Sequence, residues 1–262
     1  MNSSRFAEAA AAHVRAGALL VVREYPPTVF AVSLLIPEIL RVLLYVLIAA
    51  LASGTAGMRY ALVGAGLLSI VTVTVGQVTD LPIYDALQQT YSLLAQGRLP
   101  VFIAYLVRSA SLAVEAIIIA FCTMVVLSLV TGQMDLIGPL LAHFWLVLPA
   151  IFSALAFGLA LVAPSITSPW SVLTYNTAAS VVVVFCGAVI AVPNLAGIVV
   201  ASKLIPLTHA VQAMRLALAG QPYGHAVLLE LAVGAGWWVV AACAYAAVEH
   251  HGRATGRGAF GA

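Results

Sequence analysis

The sequence predicts an all-α integral membrane protein. Six transmembrane helices are joined by an N-terminal amphipathic helix, a helix lying flat at the cytoplasmic face and a re-entrant helical pair at the outer face. Three observations carry this reading. Of the 262 residues, 63% are hydrophobic and 8% charged, whereas a soluble domain carries about 25% charged residues. The apolar residues fall into runs of the ~20 that a spanning helix needs. Between two of those runs sits a polar, two-faced segment, "DLPIYDALQQTYSLLAQGRLP" at 80–100, which bare topology does not require.

Taken in order, residues 1–25 carry Glu8, His13, Arg15, Arg23 and Glu24 with no unbroken apolar stretch. That is not a signal-peptide pattern, and it reads as an amphipathic helix on the membrane surface. After the Pro26-Pro27 break, the spans are expected at 28–50, 60–79, 101–130, 137–162, 170–191 and 226–248. Ser53-Gly54 to Arg59, Gly132 to Asp135 and Pro164 to Pro169 separate neighbours. Arg5, Arg15, Arg23, Arg98, Arg253 and Arg257 fall on one side of this topology; Arg59, Lys203 and Arg215 fall on the other. The excess places both termini in the cytoplasm. Ten arginines against one lysine, with abundant Ala, Gly and Val, match the bias of a GC-rich bacterial genome.

Asp80 and Pro82 read as a helix start, Gly97 and Pro100 as its stop. Ile83, Leu87, Tyr91 and Leu94 recur on one stripe, and Asp85, Gln88, Gln89, Ser92 and Gln96 take the remainder. Lipid-anchoring helices favour Lys and Arg on the wet face. The neutral, hydrogen-bonding face here suits a protein partner better. The expected contact residues are Ile83, Tyr84, Asp85, Leu87, Gln88, Gln89, Tyr91, Ser92, Leu94 and Arg98.

The stretch 192–222 is too long for a turn and too apolar for a free loop. Pro206 begins a pattern in which Leu207, Val211, Met214 and Leu218 share a face, and Gly220 and Pro222 end it. It reads as a pair of half-helices dipping into the outer membrane face, with the backbone kept helical or buried in protein.

Ionisable residues inside spans are expensive and often functional. Glu38 and Arg41 share a helix face, so they either line a pathway or neutralise each other. Arg108 and Glu115 stand two turns apart and either line the pathway or are structural, with Arg108 near enough to the cytoplasmic end to snorkel. Glu230 reads as reaching the outer interface, and His143 beside Trp145 as an interfacial residue. Trp237 and Trp238, beside Gly234 and Gly236, read as packing or as substrate contact. Cys122, Cys186 and Cys243 lie in apolar runs without zinc or disulfide spacing. No catalytic cluster or metal motif is legible. Lys203 is flanked by Ser202 and Leu204, so there is no P-loop lysine. A net charge of +2 is too small to argue for nucleic acid.

Over nearly its whole length the chain resembles the membrane permease subunit of ABC transporters of the type-2 export class. Residues 5–24 match the amphipathic helix that precedes the first span in that family. "YDALQQTYSLLAQGRLPVFIAYLVRSASL" (84–112) resembles its coupling-helix region, placing the coupling helix at 80–98. "LIPLTHAVQAMRLALAG" (204–220) resembles its re-entrant pair, through Pro206, Thr208, Met214 and Arg215. The resemblance implies a single permease domain over 1–262 in a bacterial inner membrane. It implies a second permease, identical or a sister, and a separate ABC ATPase that binds ATP and Mg. The rival reading is an ion-coupled secondary transporter working alone. That would want intramembrane carboxylates, broken helices and an internal repeat, and the two halves show no clear repeat.

Overall fold

The computed structural model describes residues 11, 26–88, 90, 94, 99–164, 171–189 and 199–255. Among them the chain is helical, without a strand. Among the described residues, four stretches are long and apolar enough to cross a membrane: Pro27–Pro82, Val101–Val130, Phe144–Val162 and Gly224–His250.

The first stretch, α1 (Pro27–Phe30), passes through a π-helical turn (Ala31–Leu35) into α2 (Ile36–Leu87). Its 56 residues would extend about 84 Å as one straight helix, nearly three times the ~30 Å hydrocarbon core. The chain instead folds back at Ser53 (φ −142°, ψ 16°) and Gly54 (φ 62°, ψ −150°), the latter a conformation only glycine adopts without strain. The fold-back is visible in the contacts. Arg41 donates to Thr72, and Thr72 Oγ1 donates to Glu38 Oε1 at 3.2 Å. Positions 41 and 72 would lie about 46 Å apart on a straight helix. At the tip, a Cβ on Gly57 would stand 2.4 Å from the Ala49 carbonyl oxygen, so only glycine fits.

The second arm is the pillar of the bundle: residues 61–75 are buried without interruption. Around it pack α3 (Val101–Val130) and α5 (Val147–Val162), and α9 (Gly224–Thr255) packs on α5. The first arm turns Leu40, Leu44, Leu47 and Leu51 outward. Small residues let the helices approach closely. Gly66 faces Met124 of α3, Gly158 faces Val75, and Gly234 of α9 faces Phe152 of α5.

Three expected boundaries move. The helix expected over 137–162 is interrupted. A 3₁₀ turn (Met134–Leu136), α4 (Ile137–Ala142), a break at His143 and a second 3₁₀ turn (Phe144–Leu146) precede α5. Pro149 supplies the reason: it has no N–H, so it belongs in the first turn of a helix and not in its middle. The helix expected over 170–191 is α6 (Ser171–Phe185), followed by a bend containing Gly187 at φ +74°. The last helix continues past 248 to Thr255.

The expected helix start at Asp80 and Pro82 is also corrected. α2 runs through both residues to Leu87, with Pro82 inside it. Gln88 N–H donates to the Tyr84 carbonyl at 2.9 Å and Thr90 N–H to that of Asp85 at 2.9 Å, closing the helix end. Residues 80–87 are therefore the end of the second arm and not a separate surface helix. Gln89, Tyr91, Ser92 and Arg98 lie outside the described residues, as do the amphipathic segment 1–25 apart from Ala11 and the first part of the 192–222 segment. The rest of that segment forms α7 (Val199–Ser202), a turn, and α8 (Thr208–Leu218).

Candidate functional site

At one end of the bundle a buried ion pair ties the second arm to α3. Arg108 Nη1 donates to Asp85 Oδ2 at 2.7 Å, with side-chain exposures of 7% and 5%. Thr90 Oγ1 donates to Asp85 Oδ1 at 2.9 Å. The Arg108 guanidinium lies 5.7 Å from the centre of the Tyr105 ring. Tyr105 packs 5.8 Å from Tyr245 of α9, and Phe102 lies 5.6 Å from Tyr245 and 6.1 Å from Trp238. Two expectations are corrected here. Asp85 is buried and not on a water-facing surface, and Arg108 turns into the bundle to meet it. Burial of both is compensated because each meets the opposite charge. Of the expected contact residues, Gln88 is exposed, Tyr84 and Leu94 are half-buried, and Ile83 and Leu87 lie on the final turns of α2.

Midway along the hairpin, Glu38 and Arg41 form an ion pair, as their spacing allows, and Thr72 of the second arm bonds both. Arg41 remains 35% exposed while Glu38 is 7% exposed. Glu115 is buried on α3.

At the other end, α8 is fastened at both termini. Its first turn presents backbone N–H groups without intrahelical partners, and Glu230 of α9 receives them. Leu207 N–H donates to Glu230 Oε1 at 2.8 Å; His209 and Ala210 N–H donate to Oε2 at 3.1 and 3.0 Å. Ser153 of α5 donates its hydroxyl to the same carboxylate. Leu207 enters this turn at φ +79°, a left-handed conformation costly for a branched side chain. Glu230 is 0% exposed, which corrects its assignment to the outer interface. A carboxylate at a helix N-terminus is also favoured by the helix dipole. Its role was missed because its partners are backbone groups some twenty residues upstream, and amide groups leave no mark in a sequence.

Near the C-terminal end of α8, Arg215 donates to the carbonyls of Gly187, Tyr60 and Ala188, each at 2.9 Å. Its guanidinium stacks 3.3 Å above the centre of the Tyr60 ring. α8 thus forms a strut between α9 and α5 at one end and between α2 and the segment after α6 at the other. The other expected residues of this pair fit the strut. Pro206 and Met214 are buried, and Thr208 Oγ1 donates to the Ser202 carbonyl at 2.8 Å. Leu207, Val211 and Met214 share the buried face that their spacing predicts, with Leu218 half-buried.

Trp237 Nε1 donates to the Leu204 carbonyl at 2.9 Å, and its ring meets Phe157 edge-on at 4.7 Å. Trp238 lies 5.8 Å from Phe152. These contacts support packing roles. His143 packs edge-on against Tyr223 at 5.7 Å, and Trp145 lies 6.1 Å from the same ring. Among the described residues, Cys122, Cys186 and Cys243 are free thiols, and no group of three or more His, Cys, Asp or Glu is placed to hold a metal ion. The chain matches no family model, no curated protein and no solved structure.

Proposed function

We propose that the chain is the transmembrane subunit of an ATP-driven exporter of the ABC type-2 class. In this reading it sits in a bacterial inner membrane with six spans and both termini in the cytoplasm. The spans are the two arms of the α2 hairpin, α3, α4 with α5, α6 with the bend after it, and α9. A second permease completes the pathway, and a separate ATPase holds ATP and Mg. The observation that carries the reading is the polar segment beginning at Gln88. It leaves from the end of the central pillar, which Asp85 and Arg108 anchor to α3. A load applied to 88–98 by a moving partner would pass through that buried pair into the bundle. The apolar interior suits an amphipathic or hydrophobic cargo.

The test uses the permease co-expressed with an ATPase encoded beside it. Gln88→Asp and Tyr91→Asp each place a carboxylate on the expected contact face. Insertion and yield should match the parent, while recovery of the ATPase drops about 30-fold, as for the loss of a central 2 kcal/mol anchor. Unchanged recovery and unchanged stimulation of ATP hydrolysis would reduce the segment to a membrane anchor. The alternative, an ion-coupled transporter, draws on the buried carboxylates Glu38, Glu115 and Glu230. Glu38 is paired with Arg41 and Glu230 is surrounded by donors, which favours structural work for these two.

A further inference from the structure

Two contacts fix how the second arm of α2 lies against α3. Gly66 faces Met124, and Asp85 meets Arg108. The helices run antiparallel, so eleven residues on from Gly66 stands opposite eleven back from Met124. Likewise, eight back from Asp85 stands opposite eight on from Arg108. Both counts end at Gln77, across from 113–116 of α3. Rotation agrees with register. Gln77 follows Gly66 by about three turns and Glu115 follows Arg108 by about two, so each lies on the face its helix turns to the other. Gln77 is 8% exposed and Glu115 5% exposed. Glu115 stands midway along α3, about 21 Å from Val101 and about 22 Å from Val130. The first arm closes a third side. Thr72 bonds Glu38, and the π-helical turn Ala31–Leu35, three to seven residues before Glu38, falls level with 75–79 of the second arm and packs against α3. Short π-helical stretches occur frequently at functional sites.

Gln77 marks this level as a site. Neither its Oε1 nor its Nε2 has a hydrogen-bond partner in the protein. The same holds for Oγ1 of Thr74, which is 0% exposed and lies one turn back on the same face. Buried polar groups are ordinarily bonded. We propose that Glu115, Gln77 and Thr74 bind one alkali-metal cation between the second arm of α2 and α3. The ion meets Gln77 Oε1, Thr74 Oγ1 and the Glu115 carboxylate, while Gln77 Nε2 donates to the same carboxylate. Carboxylate, carbonyl and hydroxyl oxygens suit hard cations. One carboxylate balances one positive charge, whereas a divalent ion would leave a net charge in an apolar interior. The site stands independently of the ATPase reading, which asks for no ion on this chain.

The purified full chain in neutral detergent is heated in sodium, potassium or choline chloride at one ionic strength and one pH, and its unfolding midpoint is followed. Sodium or potassium should raise the midpoint saturably through binding to the folded state; choline, too large for a buried site, should not. Glu115→Gln should abolish the alkali-dependent rise. Gln77→Leu and Thr74→Val should each weaken the apparent ion affinity about tenfold, the loss of one polar contact to a charged group. Thr74→Val should leave the midpoint in choline at or above the parent's, because it removes an unbonded buried hydroxyl and keeps the shape. Equal midpoints in all three salts would overturn the site. So would a midpoint that rises only on acidification and loses that rise in Glu115→Gln, since a proton alone would then occupy it. An unchanged alkali response in both Gln77→Leu and Thr74→Val overturns the proposal even where Glu115→Gln fails to fold.

Discussion

The Glu230 carboxylate collects one hydroxyl and three backbone N–H donors in a site closed to solvent. Glu230→Gln keeps the shape but turns an amide NH₂ toward N–H groups, leaving at least one donor unsatisfied. Loss of charge-assisted bonds of this kind costs roughly 2–3 kcal/mol. The thermal midpoint in detergent should fall, and protease cutting in the 203–207 turn should rise; a midpoint equal to the parent's would show that the clamp contributes nothing. The ion pair between Asp85 and Arg108 is buried on both sides, with Arg108 7% exposed. Removing one member of a buried pair leaves its partner charged and unpaired and costs about 3–5 kcal/mol. Asp85→Asn should therefore lower the thermal midpoint in detergent. The Asp85→Asn/Arg108→Gln double variant should lose less than the sum of its singles. Strict additivity in that cycle would remove the pair as a crosslink.

At the scale of elements, the hairpin and the strut depend on glycines for different reasons. Gly54 has nothing within 4 Å of a built Cβ but sits at φ +62°. Gly54→Ala should cost about 1–3 kcal/mol through backbone strain alone. Gly64 has no positive φ, but its Cβ would stand 2.0 Å from the Ala188 carbonyl oxygen and 2.5 Å from Arg215. Gly64→Ala must displace the backbone that Arg215 holds, so the damage should exceed that of Gly54→Ala and should not be relieved by D-alanine-like geometry. Folded yield from size-exclusion chromatography ranks the two; the reverse order would mean that the α8 strut yields more readily than the hairpin tip. Residues 53–59 are legible as a connector, and the Val101–Val130 helix is read without error, because apolar run length decides both. The continuation of α2 through Pro82 is not legible. Proline is ordinarily a stop signal, and here the helix end is held by an ion pair to another element.

For the whole molecule, the proposed topology rests on charge, and the make-up of the bundle's two ends rests on contact. The end bearing Asp85, Arg108 and Tyr245 joins the α2 terminus to the start of α3 and the late turns of α9. The end bearing Arg59, Asp135 and Arg215 joins the connectors on the opposite side, with Arg59 paired to Asp135. In the orientation proposed above, the first end would face the cytoplasm. Single cysteines at 203 and 257 in a Cys-free background, probed in intact cells with an impermeant thiol reagent, should label at 203 and stay protected at 257. The opposite pattern would invert the molecule.

Composition by itself determined that this chain is apolar enough to cross a membrane, because 8% charged residues cannot cover a water-facing surface. Run length located the helices, and periodicity found the buried face of α8. The tertiary structure alone decided which charges meet. Asp85 found Arg108 on another helix, Glu230 found backbone donors rather than an interface, and Arg215 found three carbonyls and a tyrosine ring. The physical reason is that a pair on one helix, such as Glu38 and Arg41, is fixed by local geometry. A charge buried between helices is paired by packing, and packing depends on where the chain turns back.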